Sequence, residues 1–161
     1  MSLTQEEAHR LFEYKDGVLY WKNCTSRAVK NGSKAGHSNS YGYWRIETKY
    51  GSLAAHRIVF LMHHGYMPKI VDHIDGNKLN NKIENLRAAT YTENSYNSRI
   101  GKRNTSGSKN ISWRPNQCKW RVRVNANGKT ITIGQFEDFE FADLVAQEAR
   151  SLYHGQFARH H

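Results

Sequence analysis

The stretch VDHIDGNKLNNKIENLRAATYTENSYN, residues 71–97, decides the fold of the first part of the chain. Two short apolar runs, KIVDHI and ENLRAA, bracket the polar loop DGNKLNNKI, which predicts two strands joined by a long turn. The second run leads into TYTENSYNSR, where Thr90 or Thr92 can cap a helix whose first turn contains Asn94. The local pattern is therefore strand, loop, strand, helix.

Four polar side chains in this pattern can together hydrolyse a phosphodiester: Asp72, His73, Asn85 and Asn94. Asp72 and the side-chain carbonyl of Asn94 are hard oxygen ligands, which suit magnesium or manganese better than zinc. His73 can take a proton from water. We expect Asn85, on the neighbouring strand, to hold one ring nitrogen of His73. Because adjacent strand residues point to opposite faces, a local bulge or twist must re-aim Asp72 or His73.

An asparagine-rich loop such as DGNKLNN is by itself more often a plain loop, and an Asp-His pair alone is a weak indication. The joint occurrence of strand, Asp-His, loop, second strand with Asn, and helix with Asn favours the catalytic interpretation.

Turn and cap signals predict the elements on the N-terminal side of this stretch. They are a capping box at Thr4 and Glu7 that opens a helix to about Leu11, hairpin turns at Asp16-Gly17 and Tyr50-Gly51, a loop over residues 23–40, and a helix HRIVFLMHH ended by Gly65.

The composition favours a polyanionic partner. Lys and Arg number 24 against 14 Asp and Glu, which gives a net charge of +10. The longest apolar run, IVFLM at 58–62, is far shorter than a membrane span, so nucleic acid is favoured over a membrane. The N-terminus has no hydrophobic signal core, so we expect the chain to stay inside the cell that makes it. Cys24 and Cys118 are expected to be free thiols.

The C-terminal part begins with a concentrated positive segment, because residues 99–129 contain nine Lys or Arg and no Asp or Glu. Its first third, rich in Gly and Ser, predicts a flexible linker at 99–109. NISWR, KWRVRVN and KTITIGQF then predict three strands, with Asn127-Gly128 at the second turn. A helix is expected over about 139–153, stopped by Gly155, and its predicted sheet-facing stripe consists of Phe141, Val145, Ala149 and Leu152.

Residues 52–97, with AHRIVFLMHHG, VDHIDGNKLNNKIENLR and TENSYN, resemble the HNH homing endonucleases of bacteriophages. The catalytic fold of that family is the ββα-metal motif. The resemblance implies His73 as general base, Asn85 as the residue that positions it, and Asp72 and Asn94 as ligands of one divalent metal ion. Asn stands where many members have a final His, so the chain resembles an HNN variant and its metal preference stays open.

The C-terminal segment, with KWRVRV, the GK turn, IGQF and ADLVAQEA, resembles the plant ethylene-response (Apetala-two-like) type of DNA-binding domain. That family has three antiparallel strands packed on one helix and lays its sheet in the major groove. Strand alternation separates the two arginines of KWRVRV from Trp120, which favours a core role for Trp120. The residues expected to contact DNA are Arg114, Lys119, Arg121 and Arg123, and Lys102 and Arg103 in the linker, which suits a minor groove.

The sequence therefore predicts an α+β protein: a ββα-metal HNH nuclease domain at 1–98, a basic flexible linker at 99–109, and a three-stranded sheet packed on one helix at 110–161. We expect a site-specific, homing-type endonuclease that cuts double-stranded DNA with one Mg²⁺ or Mn²⁺ per active site, as a monomer or homodimer, in the cytoplasm of a phage-infected bacterium. The alternative is a non-catalytic DNA-binding regulator that uses the HNH fold as a scaffold.

Overall fold

The computed structural model describes residues 2–24, 26 and 28–160; the outer limits of the predicted domains, residues 1 and 161, lie outside this range. The chain divides into two compact units, Met1–Thr90 and Tyr91–His161. Both combine helices with small antiparallel sheets, so the predicted α+β class is confirmed. No helix in the described part of the chain is long and apolar enough to cross a membrane.

The first unit contains three small antiparallel sheets and two helices. The sheets pair β1 with β2, β4 with both β3 and β5, and β6 with β7. The elements are α1 (Gln5–Leu11), β1 (Phe12–Lys15), β2 (Val18–Trp21), β3 (His37–Ser38), β4 (Trp44–Thr48), β5 (Gly51–Ala54), α2 (Ala55–His64), β6 (Ile70–His73), a 3-10 helix (Ile83–Asn85) and β7 (Leu86–Ala89).

The predicted α1 cap, the first hairpin turn and the end of α2 are present. The turn predicted at Tyr50-Gly51 lies one residue earlier, at Lys49 and Tyr50, because Gly51 already pairs with Thr48 in the sheet. Thr4 caps α1 by accepting a hydrogen bond from the backbone N–H of Glu7 at 3.3 Å. Asp16 and Gly17 both have positive φ, at 46° and 86°, as the two central residues of a tight hairpin turn require. Gly65 ends α2 in the left-handed region, at φ 75°.

The loop predicted over residues 23–40 is partly wrong, because it contains the short strand β3, which pairs with β4. The chain returns along β2, where the backbone N–H of Ala35 donates to the carbonyl of Leu19 at 2.8 Å. Gly36 permits the close approach of the same segment to β4, because a Cβ atom there would clash with the carbonyl oxygen of Arg45. The polar composition of residues 23–40 predicted a loop, although β3 within this segment is a strand of the sheet.

Helix α2 lies at the centre of the hydrophobic core of the first unit, since Ile58 and Val59 are fully buried. Its N-terminus follows β5 directly, and β6 begins six residues after its end. The core residues packed with it include Leu11, Phe12, Leu19, Trp21, Ile46, Phe60, Val71 and Leu86. The core therefore joins the β6–β7 pair to the rest of the unit.

The second unit has a three-stranded antiparallel sheet in the order β10-β9-β8 and two helices. The elements are α3 (Tyr91–Tyr96), β8 (Ile111–Arg114), a 3-10 helix (Pro115–Gln117), β9 (Lys119–Ala126), β10 (Lys129–Phe136), α4 (Phe139–His154) and a 3-10 helix (Gly155–Phe157). The three predicted strands and the helix after them are present. Asn127 and Gly128 form the predicted turn, both at positive φ.

The predicted apolar stripe of α4 is half wrong: Ala149 is buried and Val145 packs against the core, but Phe141 and Leu152 are 55% and 78% exposed. Small side chains face the sheet instead and allow the helix to lie close to the buried Val122 of β9. The alanines buried on α4 are Ala142, Ala146 and Ala149.

The segment predicted as a linker contains a turn closed by its own hydrogen bonds. The side-chain amide of Asn104 donates to the carbonyl of Ser108 at 2.7 Å, and the Ser106 hydroxyl donates to the same carbonyl at 2.8 Å. The Ser108 hydroxyl donates to Asp143 of α4. Residues 104–108 therefore belong to the second unit. The predicted boundary at 98/99, the recognition domain and the flexibility of the linker stay predictions.

Candidate active site and nucleic-acid interface

Asp72 and His73 are the last two residues of β6, next to the loop that connects it to β7. Both are buried, at 6% and 5% exposure. The two strands pair in regular register from Ile70 to His73, so the predicted bulge is absent from this described pair. Adjacent strand residues point to opposite faces, so the two side chains have separate partners: Arg87 on β7 for Asp72, and Asn81 in the connecting loop for His73. A buried Asp and a buried His in sequence need specific polar partners.

Asp72 forms a buried ion pair with Arg87, its cross-strand partner on β7. Both Nε and Nη2 of Arg87 donate to Oδ2 of Asp72, at 2.9 and 2.8 Å. Because the register of the sheet sets this pair, the carboxylate has a fixed orientation.

His73 is held by Asn81, whose Oδ1 lies 3.0 Å from the ring Nε2. An amide oxygen can only accept a hydrogen bond, so Nε2 must carry a proton in this contact. In the neutral ring, Nδ1 then carries the lone pair that a general base needs. The His73 ring lies close to the rings of His56, with centroids 4.8 Å apart, and Tyr43, with centroids 6.4 Å apart.

The predicted contact of Asn85 with the His73 ring is replaced by contacts inside the loop. Asn85 ends the 3-10 helix before β7 rather than lying on the strand. Its side-chain Nδ2 donates to Asp75 Oδ1 at 2.9 Å and to the carbonyl of Asn80 at 2.8 Å, and its Oδ1 accepts from the backbone N–H of Asp75 at 3.0 Å. Asn85 thereby braces the loop that carries Asn81, so its connection to His73 is indirect.

Asp75 is the acidic centre of this loop. Burial would raise the pKa of its carboxyl group, but hydrogen bonds from Asn80, the backbone of Asn77 and Asn85 outweigh that effect and lower the pKa. The charged carboxylate therefore organises the loop between β6 and β7, and the loop presents Asn81 to His73.

Asn94 lies on α3 in the second unit, and its side chain is exposed. Two contacts within that unit fix this short helix. The Tyr96 ring stacks on His154 of α4, with centroids 3.8 Å apart and planes 8° from parallel. Lys109 donates to the carbonyls of Tyr96 and Ser98 at 2.9 and 2.7 Å, which satisfies the C-terminal end of α3.

Four basic residues of the second unit, Arg114, Lys119, Arg121 and Arg123, share one face of its sheet. On β9, Val122 and Val124 are fully buried beneath α4, and Arg121 and Arg123 alternate with them and face away from the helix. Burial and the charges of Arg123 and Arg114 lower the pKa of Arg121, which indicates that these three arginines lie close together.

The other residues predicted to contact DNA lie next to the β8–β9 turn or in the segment before the sheet. Arg114 and Lys119 are opposite each other in the register of β8 and β9, next to the turn. The Lys119 Nζ lies 3.5 Å from Oε1 of Glu137. Lys102 and Arg103 are exposed before the turn at 104–108. The Trp120 ring packs between Trp113 and Phe139, with both centroid distances 4.9 Å, in agreement with the predicted core role.

Comparisons with known proteins identify relatives of this chain. A family model described as HNH endonuclease matches residues 53–96. Protein 3.8 of Escherichia phage T7 is 43% identical over 97 residues, which are 59% of this chain and 79% of the phage protein. The chain belongs to the family of Protein 3.8. An uncharacterized HNH endonuclease of Acanthamoeba polyphaga mimivirus is 33% identical over 111 residues, which are 67% of this chain and 57% of the viral protein. No solved structure matches.

The HNH endonuclease domain at residues 53–96 contains α2, β6, β7 and α3. It therefore includes Asp72, His73, Asn85 and Asn94, and the division between the compact units falls inside it, after Thr90. The family match ends at Tyr96. The ethylene-response type of domain in the C-terminal part of this chain therefore stays a prediction.

Sequence reasoning gave too little weight to three residues of the HNH domain. Arg87 and Asn81 are the partners of Asp72 and His73. His56 is buried against His73, and its Nδ1 has no hydrogen-bond partner among the described residues. Burial, followed by the nearby His73, lowers the pKa of His56 to about 3, so its ring is neutral at pH 7. The cross-strand position of Arg87 follows from hairpin register, whereas Asn81 is one of several similar loop residues.

Proposed function

We propose that this protein is a metal-dependent DNA endonuclease of the phage homing type, with His73 as its general base. One observation carries the proposal: Asp72 and His73 are buried side by side within the HNH endonuclease domain, and each is oriented by a specific polar partner. A strand end without a chemical role would place apolar side chains in such a position.

The residues present fit a hard divalent cation. Asp72 and Asn94 would hold Mg²⁺ or Mn²⁺ through a carboxylate and a carboxamide oxygen. In the described part of the chain no three His, Cys, Asp or Glu side chains converge as a metal-binding group. Magnesium often has only one or two protein ligands, with water and substrate phosphate completing the shell. When bound, the ion neutralises negative charge on the phosphate under attack.

His73 performs the proton transfer in this proposal. Its Nδ1 takes a proton from a water molecule, the water oxygen forms a bond to phosphorus, and the bond to the departing sugar oxygen breaks. The departing oxygen takes a proton from solvent. Asn81 keeps the proton of the neutral ring on Nε2, and Asn85 braces the loop that carries Asn81.

The basic face of the second unit would bind double-stranded DNA in the manner of the ethylene-response type of domain. Arg121 and Arg123 would read base edges, and Lys119 and Arg114 would contact phosphates. Lys102 and Arg103 would follow the minor groove. The face has exposed cations and a rigid sheet beneath them, which supports this role.

One ββα-metal site cuts one strand, so a monomer would nick DNA and a homodimer would be needed for a double-strand break. The relationship to Protein 3.8 of phage T7 supports a setting in a phage-infected bacterial cell.

Incubation with supercoiled plasmid tests the proposal. We expect conversion to the nicked or linear form with Mg²⁺ or Mn²⁺, and no conversion with chelator or with the His73→Ala variant. If wild-type protein shifts the plasmid in a gel but leaves it supercoiled with either metal, the alternative of a non-catalytic DNA-binding regulator is correct.

A further inference from the structure

The pairing of Asp72 with Arg87 places a positive charge on the carboxylate that would hold the proposed metal ion. The side chains are only 6% and 14% exposed, and both donors of Arg87 converge on the same carboxylate oxygen, Oδ2. In the first unit, the pair of Arg10 with Glu7 also has two short contacts, but the Arg10 side chain is 46% exposed. Arg87 therefore acts on Asp72 with much less screening by solvent.

We propose that Arg87 couples metal binding to DNA binding, so that the site is filled by metal and phosphate together. This inference rests on the proposed function. In the protein alone, the guanidinium neutralises Asp72. A divalent cation at the same carboxylate brings the summed charge of these three groups to about +2, from −1, +1 and +2, which is unfavourable where solvent screens them poorly. A phosphate group of DNA removes much of that excess.

The chemistry of arginine supports this role. The guanidinium is always charged, and its planar set of donors matches both carboxylate and phosphate. Arg87 can therefore exchange part of its interaction with Asp72 for a phosphate oxygen when DNA arrives, without changing its own protonation. A buried ion pair is a poor device for stability, because a well-packed apolar pair often serves as well.

The consequence is reciprocal. If DNA raises the affinity of the site for metal, metal must raise the affinity for DNA by the same factor. The protein would then avoid holding a reactive metal centre without its substrate.

Calorimetric Mn²⁺ titration of the full chain, with and without a short DNA duplex, tests the inference. All proteins carry His73→Ala, so that the duplex stays intact. We expect weak Mn²⁺ binding without DNA and binding at least about tenfold tighter with DNA. Arg87→Gln, which keeps hydrogen-bonding ability but loses the charge, should bind Mn²⁺ about tenfold more tightly without DNA and gain little from the duplex.

Two further variants separate charge from other effects. Arg87→Lys keeps the charge and should keep the weak binding without DNA. Arg10→Leu removes a remote arginine from an ion pair and should leave Mn²⁺ binding unchanged. Unchanged Mn²⁺ affinity in a folded Arg87→Gln protein would overturn the inference but leave the proposed function intact.

The coupling can also be measured without altering Arg87. Fluorescence anisotropy of a labelled duplex should show tighter binding by the His73→Ala protein as Mn²⁺ is added, by the factor found in calorimetry. DNA affinity that is independent of Mn²⁺ would overturn the inference even if Arg87→Gln does not fold. Failure to bind Mn²⁺ with or without DNA would overturn the metal-dependent function and the inference with it.

Discussion

The β6–β7 hairpin and the β8–β10 sheet both carry polar side chains on antiparallel strands, but the hairpin buries them and the sheet turns them away from its core. In the hairpin, Asp72 and His73 are buried, and Arg87 and Asn81 satisfy them. On the sheet, the arginines of β9 face away from α4, and the buried valines between them form the core.

This difference separates two kinds of chemistry. A buried group has its orientation and protonation fixed by a few neighbours, as proton transfer requires. An exposed cation on a rigid sheet keeps its solvent shell and is suited to a polyanion, whose binding it supports through charge. The hairpin should therefore determine reaction rate, and the sheet should determine affinity and site choice.

The largest expected effect is on rate, from the hairpin. His73→Ala should reduce DNA cleavage roughly 10²-fold or more, because the general base acts in the transition state. DNA affinity should remain close to wild type. Single-turnover cleavage and filter binding on the same duplex measure the two quantities. His64→Ala, at the exposed end of α2, is the control; cleavage at the wild-type rate by His73→Ala would refute the assignment of the base.

The next effect is on affinity, from the sheet. Arg121→Ala and Arg123→Ala should each weaken specific DNA binding by roughly 10- to 100-fold if they read bases, with relaxed choice at particular base pairs. The cleavage rate at saturating protein should change little. Competition binding with target and scrambled duplexes makes the comparison, and Arg10→Ala serves as the control. Equal weakening on both duplexes would assign the arginines to phosphates instead.

A third effect concerns the stability of the buried region. Because the folded-state pKa of His56 is about 3 against the ordinary 6.5, the neutral ring is favoured in the folded protein. Its contribution is complete above pH 6.5 and is lost as the pH falls toward 3, by about 1.4 kcal/mol per pH unit.

Urea unfolding of wild type and His56→Gln at pH 7 and pH 5 measures this effect. The wild type should lose about 2 kcal/mol more than the variant between the two pH values. His37→Gln, an exposed histidine on β3, should behave as wild type. An equal loss in wild type and His56→Gln would show that other groups cause the acid sensitivity.

The smallest effect is expected at the rim of the sheet. Lys119→Ala should weaken binding evenly on all duplexes and lower the slope of log affinity against log salt by about one unit, because one phosphate contact is lost. Lys15→Ala in the first unit is the control. An unchanged salt slope would place Lys119 outside the interface.

The sequence predicted those features that depend on a few neighbouring residues. Thr4, Asp16-Gly17, Gly65 and Asn127-Gly128 marked caps and turns correctly because the backbone conformation at such positions restricts the residue type. The α+β class followed from the same local patterns. The candidate residues Asp72 and His73 were found because a strand and a polar pair coincide.

The partners in the site depend on the path of the loop and could not be obtained in this way. Asn80, Asn81 and Asn85 have the same side chain, and only the folded loop shows that Asn81 binds the His73 ring and Asn85 the backbone of Asn80. The face of α4 was misjudged for a different reason. The predicted stripe included Phe141 and Leu152 with Val145 and Ala149, whereas close packing on the sheet also buries Ala142 and Ala146 and leaves the two large residues exposed.

The stack of Tyr96 on His154 has a practical consequence for exchanging parts between relatives. α3 and the end of α4 are separated by almost sixty residues in sequence but contact each other within one unit. In a hybrid protein joined at Ser98, α3 would come from one parent, and Lys109 and His154, which contact it, would come from the other. A junction after Thr90 would take α3 and both of these residues from the same parent. Shuffling of such genes should therefore tolerate crossovers at Thr90 better than crossovers at the Gly- and Ser-rich segment that follows.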